Sequence, residues 1–294
     1  MHCYPDCVAC IIQQALGASR EAEAHEPQQF EVVRRVLGVL QEADLSLSPS
    51  EISRTTNRIV REVTGTDDPY AKFKEASTRL ALEMYPGLKE LVTGSADPLE
   101  AALRLSIAGN IIDAVHTKHH DLEATVERAL TQPLSGSGVA SFRAALARAA
   151  TVLYLSDNAG ETVFDRILIE QMGQPVFYAV KGGPILNDAT AADALAAGLD
   201  RAATLVSTGS DSPGTVLSLC TDEFRKIFAS ADLVISKGQS NYETVSKQDA
   251  RVFFLLQVKC AVLGRDIGWP LGSMVVTQGG QLETRKNGAA SSLS

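Results

Sequence analysis

The sequence predicts an α/β protein, and two observations lead to that class. In the first half of the chain, apolar residues recur at helical spacing and strand-like runs are few. In the second half, short β-rich runs alternate with helical segments, a pattern typical of a largely parallel sheet with helices on both faces. We therefore expect a helical domain over 1–135, a Rossmann-like three-layer α/β domain over 136–282, and a disordered tail over 283–294.

Amphipathic patterns define the predicted helices of the first half. Residues 48–65 begin with a serine cap followed by a glutamate, and Gly65 supplies a stop. Residues 99–117 form another long amphipathic segment. The segment 30–43 places five apolar residues on one stripe at helical spacing: Phe30, Val33, Val36, Leu37 and Leu40.

Strands are predicted only after a Gly/Ser-rich connection at 132–139. They are short runs rich in β-branched and aromatic residues, at 151–156, 175–180, 203–208, 232–237, 251–256 and 273–278. Helical segments separate most of them, as a parallel sheet requires.

Composition excludes several classes of protein. No apolar run approaches the ~20 residues that span a membrane, and the N-terminus lacks the basic start and apolar stretch of a signal peptide. We therefore expect a cytoplasmic protein without a membrane partner. The net charge of -8 argues against broad nucleic-acid binding. It does not exclude a small phosphorylated ligand, because a local metal ion or lysine reverses the sign at one site.

Polar side chains follow the first two predicted strands. Asp157 and Asn158 end the first strand, and Asp188 follows the second. Ligands of parallel sheets lie beyond the carboxyl ends of strands, and two carboxylates with an amide oxygen suit Mg²⁺, Mn²⁺ or a similar ion. Alternatively, Asp157 and Asn158 cap the helix that opens near Gly160. For that pair alone the two interpretations are evenly matched, and Asp188 favours a metal site.

Two further strand ends offer groups for an anion. Lys237 ends the fourth strand beside a helix start, where free backbone N–H groups suit phosphate, although a solvent-facing lysine is the alternative. The loop with Thr208, Gly209 and Ser210 has the composition of a phosphate-binding loop. It lacks the Walker A pattern, and no G-x-G-x-x-G follows the first strand, so neither nucleotide motif is present.

Two motifs in the helical half stay open at this level. Asn110 and Asp113 are three residues apart on a mainly apolar helix, so they either satisfy backbone groups or line a cleft. Cys7 and Cys10 form a single CxxC pair. Packing of two small thiols at a helix start is the leading interpretation, with metal binding or redox chemistry as alternatives.

Several segments in order resemble the damage-control phosphatases, the metal-dependent family first catalogued as domain of unknown function 89. The segments are "CVAC", "SIAGNIIDAV", "SDNAGETVFDRILIEQM", "VKGGPILNDAT", "LVISKGQSNYET" and "LLQVKCAVLG". They span nearly the whole chain, and the N-terminal CxxC is similar to one subfamily. The glycines Gly182 and Gly183 stand where we expect bulkier residues to be acceptable as well.

The resemblance implies a helical region packed on an α/β domain and a divalent ion (Mn, Co, Ni or Mg). In this sequence its ligands match Asp157, Asn158 and Asp188. The implied activity is hydrolysis of small phosphate esters, such as sugar phosphates or phosphopantetheine-type compounds. Lys237 matches the phosphate-contacting lysine. Three other residues of the family motifs are expected to face the cleft: Glu161, Asn110 and Asp113.

The expected mechanism is attack by a metal-activated water, with Lys237 and the loop 208–215 neutralising charge on the phosphoryl oxygens. Direct attack by Asp157, giving an aspartyl-phosphate, is the alternative, but an Asp that binds metal is a poorer nucleophile. Two other functions remain. One is an S-adenosylmethionine-dependent methyltransferase, although "SDNAGE" has one glycine where such enzymes usually have several. The other is a non-catalytic phospholigand-binding module.

Overall fold

The structure is a computed structural model that describes residues 1–109, 122–247 and 250–279. Its centre is a seven-stranded sheet. The strands are β1 (Leu134–Gly136), β2 (Val152–Leu155), β3 (Val176–Val180), β4 (Thr204–Ser207), β5 (Leu233–Lys237), β6 (Val252–Gln257) and β7 (Met274–Gln278). The predicted runs from 151 onward are confirmed as β2 to β7. The sequence pattern missed β1, because three residues in a Gly/Ser-rich stretch carry no strand signal.

Strand order explains where a ligand could bind. The order is β1-β7-β6-β5-β2-β3-β4, and the five strands from β6 to β4 are parallel. β7 runs antiparallel to β6, and β1 runs parallel to β7. From β2 the chain adds β3 and β4 on one side, and β5 and β6 then add on the other side. The crevice at the carboxyl ends of β2 and β5 is therefore the topological switch point, where open α/β sheets bind ligands.

Helices cover both faces of this sheet. Before β1 the described helices are α1 (Pro5–Glu21), α2 (Glu26–Glu42), α3 (Pro49–Thr64), α4 (Ala71–Gly94), α5 (Pro98–Ala108) and α6 (Leu122–Thr131). After β1 they are α7 (Gly138–Arg148), α8 (Thr162–Ile169), α9 (Ala191–Ala196), α10 (Asp222–Ser230), α11 (Gly238–Val245) and α12 (Ala261–Ile267). Within the described ranges, none of these helices has both the length and the apolar character needed to cross a bilayer. The α/β class is confirmed.

Alternate residues of each strand supply two apolar layers. Tyr154, Ile235 and Phe253 face a layer to which α4, α5 and α8 contribute. Their strand neighbours Leu153, Val234 and Phe254 face a second layer, built with α1, α10, α11 and α12. Helices from the first half of the chain therefore pack on both faces of the sheet. The predicted boundary near residue 135 stays a prediction, and the predicted tail lies outside the described residues.

The ends of α3 form as the sequence predicts. The Glu51 amide donates to Ser48 Oγ at 3.3 Å, and the Glu51 carboxylate accepts from the Ser48 amide at 2.9 Å. Gly65 ends the helix with a φ of 69°.

The predicted apolar stripe of α2 is buried only in part. Val36 is fully buried against α1 and α3 and Leu40 packs against the same cluster, but Phe30 and Leu37 are 63% and 50% exposed. Val32, which lies outside the predicted stripe, is fully buried. Apolar residues occur on more than one face of this helix, so periodicity alone does not select the buried one.

A cluster of charges joins α3 to the loop after β4. Asp211 lies 2.7 Å from Arg54 Nε and 2.9 Å from Arg61 Nη2, with Arg58 Nε at 3.5 Å. Burial alone would raise the pKa of Asp211, but the three arginines outweigh that effect and lower its pKa to about 2. Because α3 and this loop both border the cavity described below, the cluster fixes the position of its wall.

We predict that Asp211→Asn lowers the free energy of unfolding at pH 7 by about 1–2 kcal/mol, a value that allows for screening of the partly exposed arginines. Because the folded-state pKa of Asp211 is depressed, this stabilisation is present above about pH 4 and is lost as the pH falls towards about 2. Denaturant unfolding across this pH range measures it.

The matched control is Glu62→Gln, which breaks an exposed ion pair on the same helix, with Arg35 40% and Glu62 60% exposed. That control should change stability by less than about 0.5 kcal/mol. A difference between wild type and Asp211→Asn that stays constant down to pH 2 would contradict this account.

Candidate metal and phosphate site

The end of β2 is joined to the loop between β3 and α9 by backbone hydrogen bonds. The Ala189 amide donates to the Asp157 carbonyl at 2.8 Å, and the Ala159 amide donates to the Asn187 carbonyl at 2.9 Å. Asn158 and Asp188 form an isolated antiparallel bridge between these contacts. The structure therefore brings Asp157 and Asn158 beside Asp188, although residues 159–187 separate Asn158 from Asp188 in the sequence.

The helix-capping interpretation of Asp157 and Asn158 is not supported. The helix that follows, α8, begins at Thr162, its N-cap is Glu161, and no side chain caps it. Asn158 Nδ2 instead donates to Glu161 Oε1 at 2.9 Å. Because the amide nitrogen is used in that bond, the amide oxygen of Asn158 is the atom available to a ligand.

Buried charge at this point is unbalanced. The buried ionisable side chains of the cluster are the carboxylates of Asp157, Glu161, Asp165 and Asp188 and the ammonium groups of Lys181 and Lys237. In the part of the chain that the structure describes, four carboxylates thus face two lysines. The excess of two negative charges equals the charge of one divalent cation, and uncompensated buried charge is costly.

The pKa values of Asp157 and Asp188 reflect this excess of negative charge. Burial raises the pKa of Asp157 well above its usual range, and the neighbouring carboxylates of Glu161 and Asp188 raise it further. Burial also raises the pKa of Asp188, although Lys181 opposes the shift. Asp188 Oδ2 has no hydrogen-bond partner among the described residues, and the Lys181 ammonium is 3.4 Å away. A cation between the two carboxylates would reverse both shifts.

Gly238, the first residue of α11, lets this helix approach the first aspartate. Its φ is 75°, and a Cβ atom there would lie 1.9 Å from Asp157 Oδ2. Asn241 fixes the same approach, because its Nδ2 donates to the Ser156 carbonyl at 2.8 Å and to the Lys237 carbonyl at 2.9 Å. The turn from β5 into α11 is therefore shaped around the Asp157 carboxylate.

A cavity of about 350 Å³ opens onto these residues. Asp157, Asn158 and Asp188 line one part of it, and helices α1 and α3 contribute to its walls. The remaining wall includes Lys259 and the side chains Cys7, Cys10, Gln239, Glu243 and Cys260. A larger cavity of about 750 Å³ lies between α4 and α9 and contains none of the three predicted metal ligands.

Lys237 lies beneath the site rather than on the cavity wall. Its Nζ is 2.9 Å from Glu161 Oε2 and 2.6 Å from Asp165 Oδ1, and the residue is 1% exposed. Burial opposes its charge, but the two carboxylates hold its pKa well above the usual range. The predicted phosphate contact of Lys237 stays a prediction. Among the described residues, the lysine that lines the cavity is Lys259. It was not identified from the sequence, although it lies two residues after the end of β6, in "LLQVKC".

The predicted phosphate loop reaches the cavity wall only through Pro213, and the described lining does not include Thr208, Gly209 or Ser210. The Ser210 amide donates to Thr208 Oγ1 at 3.3 Å, and the Ser210 carbonyl accepts from the Gly182 amide at 2.9 Å. Gly209 is exposed, so Thr208, Gly209 and Ser210 stay predicted contacts only. The expectation for Gly182 is wrong, because a Cβ there would lie 2.4 Å from the backbone of Gly209. Gly183 has room for a Cβ.

Two predicted features of the helical half remain, the Asn110 and Asp113 pair and the CxxC pair. Asn110 and Asp113 lie outside the described residues. Cys7 is buried in the core at the start of α1, as predicted, but Cys10 is exposed. Across the described residues, no set of three or more His, Cys, Asp and Glu side chains forms a ready metal cage. The candidate set differs in kind, since it combines two carboxylates with an amide.

A family model decides the relationship of this chain. The model of the damage-control phosphatase ARMT1-like domain matches residues 3–275. The chain belongs to this family. The predicted resemblance is confirmed, whereas the subfamily suggested by the CxxC pair stays a prediction.

Two damage-control phosphatases and one solved structure are similar to this family member. It is 38% identical over 217 residues to a damage-control phosphatase from Pyrococcus horikoshii, covering 72% of this chain and 75% of that one. It is 32% identical over 282 residues to a damage-control phosphatase from Archaeoglobus fulgidus, covering 92% and 97%. The crystal structure of a DUF89 family protein from Pyrococcus horikoshii matches with a TM-score of 0.86 and 31% identity, over 95% of this chain and 99% of that one.

We predict that Gly238→Ala is much more costly than Gly268→Ala. Both glycines have positive φ, but a Cβ at Gly268 meets nothing within 4 Å. The control should therefore lose about 1 kcal/mol of unfolding free energy from backbone strain alone. Gly238→Ala should lose at least about 2 kcal/mol more, because it also displaces Asp157. Equal losses in denaturant unfolding would contradict the close approach.

Proposed function

We propose that this protein is a divalent-metal-dependent phosphatase that hydrolyses small phosphate monoesters. Its family and its named relatives support a phosphatase role in general. The observation that carries the metal dependence is the buried pair of carboxylates, Asp157 and Asp188, at the switch point of the sheet, whose charge Lys181 compensates only in part.

The residues present fit a divalent ion. Asp157, Asn158 and Asp188 offer hard oxygen donors, the ligands preferred by Mg²⁺ and Mn²⁺, and Co²⁺ or Ni²⁺ are further candidates. The excess of two negative charges in the cluster matches such an ion in sign and size. When bound, a divalent ion supplies Lewis-acid chemistry, which favours attack on phosphorus.

The chain's own groups have separate tasks in this proposal. Lys181 donates to the Gly214 carbonyl and lies beside Asp188, so it holds the position of that carboxylate. Glu161 accepts from the Asn158 amide and orients its oxygen. Lys259, on the cavity wall, is placed to attract a phosphate dianion and to offset charge on its oxygens.

The cavity favours a small polar leaving group. Its volume is about 350 Å³, and its described lining includes Gln14, Ser50, Gln239 and Glu243 but no Phe, Tyr or Trp. Amide and hydroxyl groups can recognise the hydroxyls of a sugar phosphate, whereas a nucleobase would lack an aromatic stacking partner. The negative net charge of the chain supports a small metabolite rather than nucleic acid as the partner, and we place the enzyme in the cytoplasm.

We predict that p-nitrophenyl phosphate is hydrolysed only when Mn²⁺, Co²⁺, Ni²⁺ or Mg²⁺ is added to protein treated with a chelator. Asp157→Asn and Asp188→Asn keep the side-chain shape and remove one negative charge each, so each should lower kcat/KM about 100-fold or more. Glu170→Gln is the matched control, because it alters a partly buried, ion-paired carboxylate outside the site. It should retain wild-type activity.

Each alternative function has its own outcome in these assays. Full turnover without metal, or an active Asp157→Asn variant, would contradict the metal-dependent phosphatase. Phosphate binding without any turnover would indicate the non-catalytic binding module. Calorimetric binding of S-adenosylmethionine without phosphatase activity would indicate the methyltransferase.

We predict that Lys259→Ala acts mainly on substrate binding. Removing the ammonium group on the cavity wall should raise KM for p-nitrophenyl phosphate about tenfold, the loss of one charged contact of about 1.4 kcal/mol. Affinity for Mn²⁺ should not fall, because Lys259 repels a cation. Lys226→Ala, an exposed lysine on α10, is the control. An unchanged KM in Lys259→Ala would contradict this role.

A further inference from the structure

One buried carboxylate near the site has no task in the proposed reaction. Asp165 lies on α8, is 0% exposed and does not line the cavity. Its Oδ1 accepts from Ser106 Oγ at 2.9 Å, from Tyr154 Oη at 2.7 Å and from Lys237 Nζ at 2.6 Å. Its Oδ2 accepts from Tyr178 Oη at 2.8 Å. Four donors, one of them a charged ammonium group, therefore hold this one carboxylate.

The sheet itself holds the two tyrosines in place. Tyr154 and Tyr178 are register partners on the adjacent strands β2 and β3, and their rings stack with centroids 5.2 Å apart. Both rings are fully buried, so neither hydroxyl can turn to solvent. The carboxylate of Asp165 is thereby held by two buried side chains of the central sheet.

From Asp165 a continuous chain of contacts leads to a predicted metal ligand. Lys237 Nζ bridges Asp165 Oδ1 and Glu161 Oε2, at 2.6 and 2.9 Å. Glu161 Oε1 then accepts from Asn158 Nδ2 at 2.9 Å. The four residues that make these contacts, Asp165, Lys237, Glu161 and Asn158, are each at most 8% exposed. A displacement of Lys237 would therefore pass to Glu161 and reorient the amide of Asn158.

We propose that Asp165 is a positioning residue of the metal site. It anchors Lys237, which anchors the Glu161 carboxylate, and Glu161 directs the amide oxygen of Asn158 towards the ion. Lys237 thus orients a ligand from beneath the site. This inference rests on the proposed function, because it requires the metal at Asp157, Asn158 and Asp188.

The test compares hydroxyl deletions that leave every charge in place. Tyr178→Phe removes one donor to Asp165. Tyr242→Phe is the matched control, since it removes a buried tyrosine hydroxyl that donates to another carboxylate, Asp266, at 2.7 Å outside this network. Asp165→Asn, which also removes a negative charge, is expected to have a larger effect on metal binding. For each protein, calorimetry measures the Kd for Mn²⁺ without substrate, and thermal unfolding measures stability.

We expect Asp165→Asn to raise the Kd for Mn²⁺ about tenfold or more, as is typical of residues that orient metal ligands. Tyr178→Phe, which removes one of the four donors to Asp165, should raise it less, about threefold. In activity assays, Tyr178→Phe at saturating Mn²⁺ should recover most of the wild-type kcat, with KM for substrate unchanged. Tyr242→Phe should lower Tm while leaving the Kd for Mn²⁺ as in wild type.

The outcomes separate this inference from the proposed function. If wild-type protein binds no Mn²⁺, the proposed function fails and the positioning role fails with it. If wild type binds Mn²⁺ and Tyr178→Phe binds it with the same Kd while losing as much stability as Tyr242→Phe, only the positioning role is overturned. Tyr178→Phe decides the question even where Asp165→Asn does not fold.

Discussion

The structure around the site depends on one electrostatic constraint, the burial of four carboxylates with two lysines at the carboxyl ends of β2, β3 and β5. Burying charge without a partner costs several kcal/mol per ion, so the fold needs a reason to keep this excess. The ion pairs of Lys181 and Lys237 offset two of the four negative charges. The proposed divalent cation between Asp157 and Asp188 would offset the other two, so metal binding would also stabilise the site.

Residues that could contact a ligand and residues that could orient them occupy different positions in the structure. The proposed oxygen ligands and Lys259, the proposed phosphate contact, line the cavity, whereas the buried side chains proposed to orient them lie beneath it. The backbone bridge between Asn158 and Asp188 sets the distance between two chain segments, and Gly238 allows the third segment to approach. The helical half supplies the opposite wall through α1 and α3, and the Asp211 cluster fixes α3 to the sheet.

Much of this could be predicted from the sequence, because strand runs and strand-end residues are local signals. The strands β2 to β7 were predicted from short runs rich in β-branched and aromatic residues. The proximity of Asp157, Asn158 and Asp188 was predicted from their positions after the ends of parallel strands. The role of Asp165 could not be predicted, since its partners come from four elements, α5, β2, β3 and β5, and their convergence is a property of packing. The exposed face of α2 and the close approach at Gly182 were missed for the same reason.

The central claim is that one divalent ion binds between Asp157, Asn158 and Asp188. Crystals grown without metal and soaked in Mn²⁺ would test it directly, through an anomalous difference map recorded on the low-energy side and the high-energy side of the manganese edge. The account predicts one strong peak, about 2.1 Å from oxygen atoms of all three side chains. A map without that peak, or with manganese bound only elsewhere on the protein, would contradict it.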